Sequence, residues 1–139
     1  ISWRDPLGPS FIGDMPHSWI GAEYILAVRG LFAYERESDQ SLVIAAGVAG
    51  DWLTAGAEVR VRDLPTRHGR ISYCLKREAP DRLRVSLSGA LVIPPGGLIL
   101  MPPLPRPLVE VSIDGQNSPD FGPDSAVCRA CPAEVLLRY

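Results

Sequence analysis

Cys128 and Cys131 stand in Cys128-Arg129-Ala130-Cys131, a spacing that lets two thiolates share a zinc ion or close a small redox loop. A structural zinc takes four ligands, and Cys74, His17 and His68 are scattered with no second paired spacing. A redox pair should open a helix after a strand, whereas Pro132 leads into a terminal strand pattern. The residues favour small packing cysteines, with one oxidised pair left open, and no metal or cofactor is expected. Glu35, Glu37 and Asp39 cluster around Arg36, and a pair of carboxylates is what glycoside hydrolysis places on either side of the scissile bond. They fall in a polar run with nothing apolar to hold a proton on, so a solvated charge run is the expectation. Ser10 and Ser18 lie near His17, but no G-x-S-x-G elbow is present, and no catalytic residue is nominated.

Trp3, Trp19, Trp52, Tyr24 and Tyr73 could stack on sugar rings, yet aromatic side chains are more often core. Trp52, in Gly50-Asp51-Trp52-Leu53, reads as a helical-turn anchor packed on a sheet. Trp3 and Trp19 lie in a segment that expects a neighbour outside the chain. His17, in Met15-Pro16-His17-Ser18-Trp19-Ile20, opens an apolar helix, where the helix dipole favours the neutral imidazole. It reads either as a hydrogen-bonded histidine at a domain junction or as a group facing a ligand pocket of a larger protein.

The elements that must carry these residues begin with a helix at about 15–35, after Asp14 as N-cap and with Pro16 in the first turn. Trp19, Ile20, Tyr24, Ile25, Leu26, Val28, Leu31 and Phe32 wind around nearly its whole circumference, interrupted only by Glu23 and Arg29. A small sheet covers one stripe, so the other faces should meet a further domain or a second copy. After the polar turn Glu35–Gln40 the period changes to two. Val59 and Val61, then Ile71, Tyr73 and Leu75, then Leu83, Val85 and Leu87, then Val109, Val111 and Ile113 each alternate with polar residues. Val135 to Tyr139 supplies a final strand, and Leu42–Ala46 and Leu98–Met101 two shorter ones. Clean alternation with short connections favours antiparallel pairing. The prolines at 94, 95, 102, 103, 105 and 107 bracket Leu98–Met101 and mark an edge segment crossing between sheets, and 114–124 reads as a long exposed loop. The fold expected is mainly β: an antiparallel two-layer β-sandwich preceded by one N-terminal α-helix, with a helical segment at 1–36 and the sandwich at 37–139.

A chain of 139 residues is long enough for one core, and 46% hydrophobic with 22% charged residues excludes a disordered tail or a coiled coil. Fourteen basic against sixteen acidic side chains leave no electrostatic footprint for nucleic acid. No apolar run reaches the roughly 18–20 residues of a membrane span, because Glu23 and Arg29 interrupt the best candidate. Three cysteines make no disulfide framework, and the compartment stays open. Ile1 in place of Met, with no signal-like opening, reads as a piece of a longer protein.

Asp14-Met15-Pro16-His17-Ser18-Trp19-Ile20-Gly21-Ala22-Glu23-Tyr24 resembles the His-Gly-Trp or His-Ser-Trp segment on a late helix of the (α/α)6 toroid in large bacterial glycoside hydrolase-like proteins. Ala46-Gly47-Val48-Ala49-Gly50-Asp51-Trp52-Leu53 and Leu64-Pro65-Thr66-Arg67-His68-Gly69 are similar to the turn and strand elements that follow there. The likeness covers about residues 11–90, with Ser18 in place of the more usual Gly. It implies a noncatalytic C-terminal accessory domain whose catalytic acids lie upstream, in a preceding toroid that is its partner. It implies too that His17, Trp19 and Glu23 line or support the carbohydrate cleft of the intact protein. The competing expectation is a carbohydrate-binding module that grips glycans through exposed aromatics, and either way the apolar helix offers a surface for a homo-oligomer.

Overall fold

The structure, a computed structural model, describes residues 18–139. Asp14, Pro16, His17, Ser10 and Trp3 therefore lie outside the described residues. The chain divides into two compact units, 1–30 and 31–139. Helix α1 runs Ser18–Phe32. None of its residues is buried: Trp19 is 66% exposed, Tyr24 72% and Ile25 67%.

The second unit is a sandwich of two packed sheets, as the two-residue periodicity predicts. A four-stranded sheet has the order β1-β2-β6-β9, from β1 (Ala33–Arg36), β2 (Ser41–Ile44), β6 (Leu98–Leu100) and β9 (Ala126–Cys128). A six-stranded sheet has the order β3-β4-β5-β10-β7-β8, from β3 (Glu58–Thr66), β4 (Gly69–Ala79), β5 (Arg82–Ser88), β10 (Ala133–Arg138), β7 (Glu110–Ile113) and β8 (Gln116–Asn117). Ile71, Tyr73 and Leu75 of β4, Leu83 and Val85 of β5, and Val135 and Leu137 of β10 meet Leu42, Ile44, Leu98 and Leu100 of the smaller sheet in one continuous core. Their polar neighbours along the strands face outward, since successive side chains alternate between faces.

Four expectations change. The helix stops at Phe32 rather than near 35, because Ala33–Arg36 pair with Ser41–Ile44 in a hairpin, and that pairing outweighs continued helical winding. β2 and β6 pair in parallel, the exception in an otherwise antiparallel architecture. They also carry the continuous apolar runs Leu42–Ile44 and Leu98–Leu100 and are buried at every position, which is how parallel strands read. β6 lies between β2 and β9 and is an interior strand; the flanking prolines fall beyond its ends, where no ladder donor is lost. The connection that follows it does cross to the other sheet. Finally, 114–124 is not loop throughout. Asp114 and Gly115 take φ of 50° and 81°, a two-residue reversal that pairs Ile113 with Gln116, and Phe121 bridges to Ala126.

Trp52 also departs from its expected place. Gly50–Leu53 is a 3-10 turn, but Trp52 is 46% exposed and stacks on Phe32 with ring centroids 6.4 Å apart. So short a turn aims one side chain at the sheet, and Leu53, 4% exposed, takes that position. Tyr73 is core, and its hydroxyl donates to the Phe32 carbonyl at 2.8 Å, satisfying a buried phenol and a carbonyl at the helix end together. Burial pushes the Tyr73 phenol well above its usual range.

Candidate functional site

Trp19 and Glu23 lie four residues apart on α1, on one face of the helix, and both are exposed. His17, the third residue implicated by the resemblance, lies outside the described residues. Around α1 the apolar side chains continue past that face, with Ile20 49% and Leu26 55% exposed. The helix therefore presents a broad apolar surface with one carboxylate beside an indole.

The charged run forms one wall of a cleft of about 390 Å³ in the sandwich, lined by Glu35, Glu37, Ser41, Arg67, His68 and Pro95. β1 and its turn supply the carboxylates, and the tip of the β3–β4 hairpin supplies Arg67 and His68. The Arg67 backbone N–H donates to Glu35 Oε1 at 2.9 Å, and its guanidinium to Glu37 Oε1 at 3.2 Å. Arg36 holds Asp39 through two bonds, Nε to Oδ1 at 3.1 Å and Nη2 to Oδ2 at 2.6 Å, and the buried Ser41 hydroxyl donates to Oδ1 at 2.7 Å. These donors, the guanidinium first and then the hydroxyl, hold the Asp39 carboxyl well below the usual carboxylate range. A general acid needs the opposite shift. The arrangement orders the turn and latches the smaller sheet to the hairpin tip.

A pH dependence follows from that lowered carboxyl. The folded chain binds the Asp39 proton more weakly than the unfolded chain, so its stabilising contribution is complete above the ordinary Asp pKa near 3.9 and fades as pH falls toward the folded value. Asp39→Asn is expected to lower the melting temperature modestly at neutral pH, because the pair is exposed, and to converge with wild type as pH falls from about 4 to 2, which flattens the acid limb. An acid limb identical to wild type would remove Asp39 from that role.

Cys128 and Cys131 are free thiols, Cys128 buried and donating to the Ala130 carbonyl at 3.3 Å. Burial pushes both thiols up, against the low pKa of a redox nucleophile. Cys74 is likewise raised, by burial first and by the Glu58 charge second. Among the described residues no group of three His, Cys, Asp or Glu side chains could hold a metal ion. Among the same residues no helix is long and apolar enough to cross a membrane. The roles of Arg67 and His68 in the cleft escape sequence reading, since a two-residue hairpin tip gives no sign of the strand it will touch 32 residues earlier.

No protein-family model, curated protein or solved structure matches this chain. The class of molecule is thus defined by its own geometry: a mainly β chain in which one apolar helix precedes a sandwich.

Proposed function

We propose that this chain is the noncatalytic C-terminal accessory β-sandwich of a bacterial glycoside hydrolase-like protein, and that α1 is packed in the intact molecule by a preceding helical toroid. The observation that carries this reading is the helix itself, 15 residues with apolar side chains on nearly every side and none buried. Covering a large apolar side chain is worth about 1.5–3 kcal/mol, so a surface with Trp19, Ile20, Tyr24, Ile25 and Leu26 in the open favours a partner strongly. The resemblance of Asp14–Tyr24 to a toroid segment supplies the identity of that partner. In the intact protein, Trp19 and Glu23, with His17, then line or support the sugar cleft. The sandwich acts as a buttress, consistent with carboxylates that are engaged in ion pairs and hydrogen bonds.

Sedimentation velocity on the whole chain tests the cover directly. Self-association through α1 is expected, and Ile25→Glu, at a position 67% exposed, is expected to return the chain to monomer. A monodisperse wild-type monomer at high concentration would remove the need for a partner. Release of sugar from a glycoside panel would overturn the noncatalytic assignment. The coding sequence upstream of Ile1 tests parentage: a long helical region carrying carboxylates is expected, and a start codon directly ahead of Ile1 would end the reading.

One observation favours a second reading, a carbohydrate-binding module: Trp52, 46% exposed, offers an indole on the sandwich. Tyr73, an expected member of such a platform, is instead 2% exposed. Heat on titration with soluble glycans, abolished by Trp52→Ala, would favour the module over the buttress.

A further inference from the structure

On the outer face of the six-stranded sheet, away from the core, β3, β4 and β5 enclose a recess of about 280 Å³ lined by Arg60, Arg62, Ser72, Cys74, Ser86 and Ser88. Strand register builds it. Arg60 lies opposite Cys74 and Cys74 opposite Ser86, while Ser72 lies opposite Ser88, so two rows of short side chains lie beside Arg60 and Arg62. The ladder between β3 and β4 slips between Val61 and Leu64, and Arg62 and Asp63 together face Ser72. Asp63 absorbs the extra residue with φ of 50°, a left-handed conformation that an aspartate tolerates. Leu64 is thereby returned to the core side and Arg62 kept on the outer one.

The hydrogen bonds leave donor capacity on this lining. Ser72 Oγ accepts the Asp63 N–H at 2.9 Å, which occupies a lone pair and leaves its own proton to give. Two nearby carboxylates are engaged: Glu58 by Arg60 at 2.7 Å and Lys76 at 3.5 Å, Glu134 by the Ser86 hydroxyl at 2.8 Å. Arg60 meets Glu58 through Nη2, and a guanidinium has five N–H donors, so it keeps others. Arg62 has no hydrogen-bond or ion-pair partner among the described residues. Guanidinium forks and serine hydroxyls lining one recess match a planar or tetrahedral oxyanion better than they match chloride. The volume falls just below the range of drug-sized pockets and suits a single charged group.

We propose that this recess binds an oxyanion, a phosphate, sulfate or carboxylate, between the guanidinium groups of Arg60 and Arg62 and the hydroxyls of Ser72 and Ser88. The site does not rest on the accessory-domain reading. Binding is weakened by salt, because the site is open to solvent.

Amide-shift titration of the whole chain with sodium phosphate, sulfate and acetate, against sodium chloride at equal ionic strength, tests it. Saturable shifts at Arg62, Ser72 and Ser88 are expected for the oxyanions alone. Arg62→Gln is expected to weaken binding about tenfold, Ser88→Ala more modestly, and Arg106→Gln, at an exposed arginine outside the recess, not at all. Cys74 lines the recess and gives an independent signal, slower reaction with a thiol reagent when phosphate is bound. A uronic acid disaccharide run alongside separates a sugar-borne carboxylate, which would bind more tightly than acetate, from a free anion, which would bind equally. Equal shifts with chloride, or unchanged affinity in Arg62→Gln, would overturn the proposal.

Discussion

Alanine at Gly69 is expected to remove roughly 2–6 kcal/mol of stability, a large part of what a domain this size possesses. Gly69 ends the β3–β4 hairpin with φ of 122°, a conformation that side chains rarely adopt. A Cβ placed there would collide with the Ala90 carbonyl oxygen and approach Leu91 Cα to 2.7 Å. Those contacts are backbone and cannot swing away. They exist because the chain leaving β5 lies directly on the start of β4, with Arg70 N–H donating to Ala90 O at 3.0 Å and Val92 N–H to His68 O at 2.8 Å. Gly115→Ala is the matched control: φ is 81°, but nothing lies within 4 Å of its Cβ, so about 1–2 kcal/mol is the whole expected cost. Urea unfolding of the two variants measures the difference. Equal losses would mean that the packing against Ala90 carries no energy. Because the same hairpin tip delivers Arg67 to Glu35, Gly69→Ala is also expected to loosen the latch between the sheets.

Leu75→Ala should cost about 2–5 kcal/mol. Leu75 is fully buried on β4, between Val59 of β3 and Val85 of β5, and it faces the smaller sheet across the core. Truncation loses the transfer energy of the side chain and leaves a cavity that two hydrogen-bonded neighbours prevent from closing. The urea midpoint is expected to fall by on the order of 1–2 M with an unchanged slope. Val109→Ala, on a side chain 63% exposed, should change stability by less than about 0.5 kcal/mol. A loss below about 1 kcal/mol at Leu75 would mean that the sandwich interior repacks freely.

The strands with strict alternation were legible in advance, save that Val109, grouped by its spacing with Val111 and Ile113, lies ahead of β7 and is 63% exposed. β4 reads Ile71, Tyr73, Leu75 inward and Ser72, Cys74, Lys76 outward, as their spacing predicts, because a strand has only two faces and burial selects one. The Asp114-Gly115 reversal carried a clear signal in its dipeptide, obscured by the surrounding turn residues. β1 gave less warning. Ala33-Tyr34-Glu35-Arg36 continues a helical run, and only its partner, Ser41–Ile44, makes it a strand. Trp52 misled for a related reason: size and hydrophobicity suggest burial, but the direction of a short turn decides which side chain reaches the sheet.

Periodicity, composition and turn residues by themselves determined that this chain is mainly β, that its front is an apolar helix, and which side of each long strand is dry. These are local properties, set by where successive side chains point along one element. Tertiary structure alone decided that β2 and β6 run parallel, that β6 is interior, that Arg67 meets Glu35 and Glu37, and that Arg60 and Arg62 share a recess with Ser72, Ser86 and Ser88. Each of those depends on which distant backbone groups share hydrogen bonds, and the energy of that choice is summed over the whole sheet rather than encoded in any one segment.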